Sequence, residues 1–408
     1  MSSIDDIAIK EDNLSGTASG NQNSDVKKLS ISSLTLSNFR NYEYARIETS
    51  SVPVVLTGEN GAGKTNILEA ISMLSVGRGL RRAKLLELDS LLTADRRPLI
   101  TAPWAIAANI NGRMGEVKIG TGRDTETVEN IDKRIVKIDE KIVRGQAELA
   151  LHVSLIWLTP QMEQLFSEGS SAGRKFLDRL VFGFDAEHAT RVNDYEYAMR
   201  ERNKLLQYGK ADAGWLSVLE QKMAECASSI ALARISTCEH INYTISASPL
   251  SFPKAYIDVS GFAEDLLKNG KSAVECENLL KNAFASYRNK DAESGRTLIG
   301  THRSELKVTH LGKNMQAENC SMGEQKALML SIILAQARSG ALWHGVVPII
   351  LLDEVAGHLD SIKRTELFEE IFDTGAQVWM TGTDAGLFAD LVGKAQFFAV
   401  DNGDIVQY

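Results

Sequence analysis

The chain lacks any unbroken run of about twenty apolar residues, the length a helix needs to cross a bilayer. No helical membrane span is expected, which argues against a transporter. Cysteine is sparse: Cys226, Cys238, Cys276 and Cys320 stand far apart, with no C-x-x-C pair and no histidine at ligand spacing. Neither a disulfide framework nor a zinc site is indicated. An excess of positive charge is missing too, since 45 Lys and Arg face 53 Asp and Glu, a formal net charge of −8. A chain of that balance is not built to coat nucleic acid over its whole surface, so attraction to phosphate must come from a local concentration of Lys and Arg. No apolar secretory stretch follows Met1, and free thiols suit a reducing compartment, so a cytoplasmic setting is expected. The first 28 residues, rich in Ser, Asn and Asp, read as a disordered tail.

Against these absences stands one dense motif. Gly58-Glu59-Asn60-Gly61-Ala62-Gly63-Lys64-Thr65 fits G-x-x-x-x-G-K-[ST], preceded by an apolar run at 52–56 and followed by a helix-prone stretch at 66–74. Strand, glycine loop and helix together are the context in which backbone N–H groups converge on phosphate oxygens. Lys64 adds a positive charge and Thr65 an oxygen for Mg2+. The motif predicts binding of a nucleoside triphosphate.

A second apolar run at 346–352 ends in Asp353-Glu354. Runs that are apolar throughout are how buried parallel strands read. Two carboxylates at the carboxyl end of such a strand would lie beside the phosphate loop, Asp353 holding the Mg2+ shell and Glu354 orienting and deprotonating an attacking water. Carboxylates at a helix start are the competing reading. Between the two motifs, Ser321-Met322-Gly323-Glu324-Gln325-Lys326 precedes a long apolar-patterned stretch at 327–338. On local grounds Ser321 is equally an ordinary helix N-cap.

The order Ser-x-Gly-Glu-Gln, helix, apolar strand, Asp-Glu and then His358-Leu359-Asp360 resembles the ABC-type ATPases. That resemblance implies an α/β head in which Ser321 and Gly323 serve the nucleotide of a second subunit, so that two molecules enclose two ATPs. With 408 residues there is no room for the very long coiled coil of a chromosome-organising SMC protein. The resemblance narrows to the RecF family of bacterial DNA replication and repair proteins. It rests on Leu34-Thr35-Leu36-Ser37-Asn38-Phe39-Arg40-Asn41-Tyr42, on Thr159-Pro160-Gln161-Met162-Glu163, on the segment from Gly169 to Asp178, and on Arg202-Asn203-Lys204-Leu205-Leu206. It implies ATP and Mg2+ as cofactors, an ATP-dependent homodimer on duplex or gapped DNA that helps recombinase loading, and RecR and RecO as partners. Arg40, Asn41, Asn66 and Asp360 would join the nucleotide site. Gln161 would touch the Mg2+ and the attacking water.

Two segments depart from the family pattern: Gly300-Thr301-His302-Arg303-Ser304-Glu305 stands where Gly-Pro-His-Arg-Asp-Asp is usual, and Ser321-Met322-Gly323-Glu324 where Ser-Arg-Gly-Gln is common. His302 is the histidine that matches a family position. At the switch position a transporter ATPase carries histidine, whereas this chain offers Thr383. A threonine can hydrogen-bond a γ-phosphate but carries no charge, so slow, DNA-stimulated hydrolysis is expected, with ATP acting mainly as a dimerisation switch.

For DNA, the segment from Arg78 to Arg97 is the best candidate, because Arg78, Arg81, Arg82, Lys84, Arg96 and Arg97 outnumber Glu87, Asp89 and Asp95. No aromatic residues interleave for base stacking, and a solvated loop is the plain alternative. Arg174, Lys175, Arg191, Arg200, Arg202 and Lys204 form a second, weaker basic face. Short alternating or apolar runs at 31–36, 52–56, 104–110, 135–138 and 153–158 predict strands, and three-four spacing at 172–208, 213–241 and 273–288 predicts helices. The expected organisation is an ATPase lobe of residues 29–165 and 296–408, split by a mainly helical lobe at 166–295. A P-loop phosphotransferase acting on a small substrate, or a soluble ABC-type subunit unrelated to DNA, stays open at this point.

Overall fold

The computed structural model describes residues 26–90, 103–124, 133–166, 169–183, 185, 187–207, 212–357 and 359–408. The expected tail up to residue 25, Arg96 and Arg97 of the basic segment, and His358 lie outside the described residues.

Six strands form a central sheet in the order Asp404–Gln407, Gln396–Asp401, Val54–Thr57, Val378–Gly382, Ile349–Leu352 and Leu155–Leu158. All neighbours are parallel except the outermost hairpin. The four parallel strands that follow the hairpin are buried at every position, which explains why they read as apolar runs. Alternate side chains feed two cores. Val55, Ile350, Leu352 and Met380 pack with the helices Met322–His344 and Ser361–Thr374. Val54, Leu56, Ile349, Leu351 and Trp379 pack with the helix Lys64–Ser72 and with a second sheet. Each such side chain, fully withdrawn from water, stabilises the fold by roughly 1.5–3 kcal/mol.

The second sheet is antiparallel, in the order Tyr42–Glu48, Ser30–Phe39, Ala105–Gly112, Gly115–Arg123, Arg134–Ile138 and Lys141–Ile142. Its alternating burial is that of a sheet with one covered face. Helices Ser170–Phe182, His188–Gln207, Ala213–Ala247, Phe262–Lys268, Ala273–Ser286 and Arg288–Ser294 carry most of the chain between 170 and 294. The 35-residue helix Ala213–Ala247, capped where Asp212 accepts from the Gly214 N–H, joins two cores. Its Leu219, Met223 and Ile230 pack among helices, while Cys238, Ile241 and Ile245 pack against the ATPase-like core.

Several expectations need correction. The run 346–352 is not one strand: Val346–Val347 pairs in parallel with Lys27–Lys28, and only Ile349–Leu352 enters the central sheet. Pro348, which has no N–H to give a ladder, separates them. Lys27 and Lys28 are therefore strand residues, not tail. The helical stretch 172–208 is broken between Phe182 and His188, and 273–288 ends at Ser286 before a further short helix. Strand Ala255–Ser260, from within the expected helical lobe, pairs with Glu305–His310 beyond its boundary. The second basic face does not form. Arg202 is fully buried, held by Glu220, Asp291, Thr297 and the Phe284 carbonyl, and Arg191, Arg200 and Lys204 pair with carboxylates on or beside their own helix.

Candidate nucleotide site

The glycine loop leaves the strand Val54–Thr57 and opens the helix Lys64–Ser72. Gly63 lies at φ +117°, and a Cβ built there would stand 2.4 Å from the Asn41 side chain. Gly58, at φ +146°, would drive its Cβ to 2.1 Å from the Val400 carbonyl oxygen. Only glycine fits both positions. Lys64, a residue only 6% exposed, donates its ammonium to the carbonyls of Gly58 and Glu59, each at 2.7 Å, and so lies across the mouth of its own loop. Burial pushes its pKa below the ordinary lysine value, opposed by the charges of Glu354 and Asp353.

Asn41 props the loop from behind. Its Nδ2 donates to the Ala62 carbonyl at 3.0 Å, and its Oδ1 accepts from Asn66 at 2.7 Å. Arg40 makes a two-pronged pair with the buried Glu69, both bonds 2.9 Å, and donates to the Glu87 carbonyl. Arg81 donates to Asn66 at 2.7 Å and approaches Glu69 at 3.3 Å. Arg40, Asn41 and Asn66 thus form a bracket beneath the loop and the first helix turn.

Parallel pairing places the carboxylates. Ile349–Leu352 runs in register with Leu155–Leu158 on one side and with Val378–Met380 on the other, and the Asp353 N–H donates to the Leu158 carbonyl at 3.0 Å. Asp353 therefore emerges beside the loop, where Thr65 Oγ1 donates to its two oxygens at 2.9 and 3.1 Å. Thr381 Oγ1 donates to Asp353 Oδ1 at 2.8 Å and accepts from the Glu354 N–H at 2.8 Å. Glu354 adopts φ +52°, a left-handed conformation that costs a non-glycine residue energy and turns its side chain out to solvent. Lys326, buried on the helix Met322–His344, donates to the Glu354 and Gly357 carbonyls at 2.8 Å and holds that turn.

Thr381, not Thr383, is the threonine built into this arrangement. Thr383 lies beyond the strand end and is exposed. The missed signal was register: Leu352 pairs with Met380, so the next residues, Asp353 and Thr381, must be neighbours. Gln161 is exposed in the turn Pro160–Phe166, three residues past the strand that flanks Asp353. Ser321 is an N-cap residue whose N–H and hydroxyl both donate to Glu324, at 3.0 and 2.9 Å. Glu324, also paired with Lys313, has its pKa drawn down to about 2 by that contact and by Ser321. Gly323 follows in the first turn of the same helix. Asp360 caps Ser361–Thr374 by accepting from the Lys363 N–H at 2.9 Å. His302 is structural: it bridges Tyr195 and the Thr297 carbonyl, and burial lowers its pKa to about 4.

Of the basic segment, Arg78, Arg82 and Lys84 are exposed, whereas Arg81 is tied to the loop helix. Among the described residues all four cysteines are free and buried, no three His, Cys, Asp or Glu side chains gather as a metal site, and no helix is long and apolar enough to cross a membrane.

Residues 30–404 match the RecF/RecN/SMC N terminal domain. The chain is 44% identical over 382 residues to the DNA replication and repair protein RecF of Allorhizobium ampelinum, covering 93% of this chain and 99% of that relative, and 43% identical over 382 residues, with the same coverage, to that of Agrobacterium fabrum. Among solved structures it is similar to the recombination mediator protein RecF-ATPrS in the RecFOR pathway, with a TM-score of 0.79 at 22% identity over 94% of this chain and 99% of that one. The Smc head domain of Pyrococcus furiosus, with an extended coiled coil, gives a TM-score of 0.53 at 15% identity, covering 93% and 96%.

Proposed function

The chain belongs to the RecF family of DNA replication and repair proteins, and from that membership we propose that it is a nucleotide-gated clamp: ATP joins two copies over duplex or gapped DNA, and hydrolysis releases them. The observation that carries this reading is the continuous set of bonds from Thr65 through Asp353 and Thr381 to Glu354.

The residues present fit ATP and Mg2+. Three glycines with positive φ open the loop backbone, and a hydroxyl and a carboxylate within hydrogen-bond reach of one another offer hard oxygen donors. Bound there, Mg2+ would neutralise charge on the phosphates. Thr65 and Asp353 would hold it, and Lys64 would turn from its loop carbonyls toward the phosphate oxygens. Glu354, held at φ +52° by Thr381 and Lys326, is the group to take a proton from water, and Gln161 would orient that water. Asp360 keeps its helix start in place.

For the trans contact, Ser321 must exchange Glu324 for a phosphate oxygen of the partner's nucleotide, with Gly323 leaving room for the approach. Hydrolysis would then remove charge-assisted bonds worth roughly 1.5–3 kcal/mol each from the interface, which opens it. Family membership supports RecR and RecO as partners, gapped DNA as the working substrate and a cytoplasmic setting. The exposed Arg78, Arg82 and Lys84 are the DNA-facing cations on this reading.

Trans complementation tests it. Lys64→Ala and Ser321→Arg should each be inactive alone, yet a mixture should regain DNA-stimulated ATPase, because the mixed dimer assembles one intact composite site. No recovery on mixing, with both variants folded, would sink the shared-site reading.

A further inference from the structure

Two adjoining cavities, of about 130 and 190 Å3, share Gly79, Arg82, Trp157 and Arg179 in their walls. Arg78 lines the first and Lys175 the second, so four cations surround this space. Among the described residues no Asp or Glu lines either cavity, and no residue of the Gly58 to Thr65 loop does.

Arg179 is the anomaly at the centre. Its Nε and Nη2 are buried and have no hydrogen-bond partner among the described residues. Its guanidinium lies 5.0 Å from the Trp157 ring centroid and 5.4 Å from that of Phe176. Rings attract a cation but accept no strong hydrogen bond and bring no opposing charge. The adjacent carboxylate, Asp178, is taken by Arg234 and His188. Burial, reinforced by the charge of Arg82, lowers the Arg179 pKa to about 9. A cation with buried, unmet donors and further cations around it is unfavourable by itself, and an anion relieves both defects at once. The planar fork of a guanidinium matches two oxygens of a tetrahedral oxyanion. Arg82 and Lys175 are exposed, so the rim is open to an incoming group.

We propose that the cavity bounded by Arg78, Arg82, Lys175 and Arg179 is a second phosphate-binding site, separate from the glycine loop. Its ligand is a phosphate group, supplied either by a nucleic-acid backbone or as free inorganic phosphate. The cavity shares Arg78 and Arg82 with the proposed DNA-facing surface and Gln161 with the proposed hydrolytic site, so it rests in part on that reading; phosphate can still be measured with neither nucleotide nor partner present, so the two fail separately.

The experiment is equilibrium binding of radiolabelled inorganic phosphate to the nucleotide-free protein, with ionic strength held constant by chloride. One phosphate per chain should bind to wild type and equally to Lys64→Ala. Arg179→Gln should bind at least about tenfold more weakly, since it loses charge-assisted hydrogen bonds. Arg82→Ala and Lys175→Ala change only the exposed rim and keep the test valid if Arg179→Gln misfolds; each should weaken binding severalfold. A short duplex that displaces the phosphate identifies the backbone as the source, and a duplex that binds without displacing it identifies a free anion. Binding that survives all three cavity substitutions, vanishes with Lys64→Ala, or never appears overturns the site.

Discussion

Thr381 donates its hydroxyl to Asp353 at 2.8 Å, and the same oxygen accepts the N–H of Glu354. One buried threonine thereby fixes both the Asp353 carboxylate and the turn that carries Glu354. Thr381→Val preserves shape but leaves the Glu354 N–H without its acceptor, at a cost of about 1–3 kcal/mol. ATP turnover should fall at least tenfold while ATP affinity changes little, and Thr381→Ser should recover most of the rate. Steady-state kinetics on the three proteins checks this; a valine variant at full rate removes Thr381 from the site.

Lys64→Ala should abolish retention of ATP, because the charge lying across the loop is lost. The wild type carries a pH signature of the same group. Burial lowers the Lys64 pKa from its ordinary 10.5, so its charge is lost earlier as pH rises than that of an exposed lysine. ATP affinity should therefore decline on the alkaline side before pH 10.5, and Lys64→Ala should show no such decline in whatever weak binding remains. Calorimetric titration across pH separates the two.

Gly63→Ala tests the loop itself. Its Cβ would enter a space filled by Asn41 and Tyr42, at a φ that disfavours alanine. We expect a thermal midpoint several degrees lower and loss of ATP binding. An alanine variant that binds ATP normally would show that Asn41 yields.

Much of this site was legible in the chain, and the reasons differ residue by residue. Val54–Thr57 and Ile349–Leu352 stood out because strands covered on both faces need apolar side chains at every position. The glycines stood out because their φ angles admit little else. Arg40 was legible as a residue of the region, not in its role: a sequence gives no hint that Glu69, in the next helix, would take its guanidinium. Thr381 is unmarked in the sequence because its place beside Asp353 comes from strand register, which is set by pairing between distant segments. Arg202 reads as surface charge in the sequence; its burial depends on how helices from opposite ends of the insert pack.

Glu324 holds the Ser321 hydroxyl at 2.9 Å. In the proposed dimer its charge would face the partner's phosphates and compete for that hydroxyl. Glu324→Gln keeps the cap geometry while removing the charge, so ATP-dependent association should tighten severalfold. Sedimentation equilibrium with ATP checks it. Weaker association would mean that the carboxylate, through Lys313, organises the interface.

The most direct measurement is the mass of Glu354→Gln by light scattering, with ADP, with ATP, and with ATP plus gapped DNA. If Glu354 is the proposed base, removing its carboxylate should leave ATP bound and trap the closed state. The account predicts a monomer with ADP, a dimer with ATP, and a dimer persisting at lower protein concentration when DNA is present. A monomer under all three conditions, with ATP bound at wild-type affinity, would contradict the nucleotide-gated clamp.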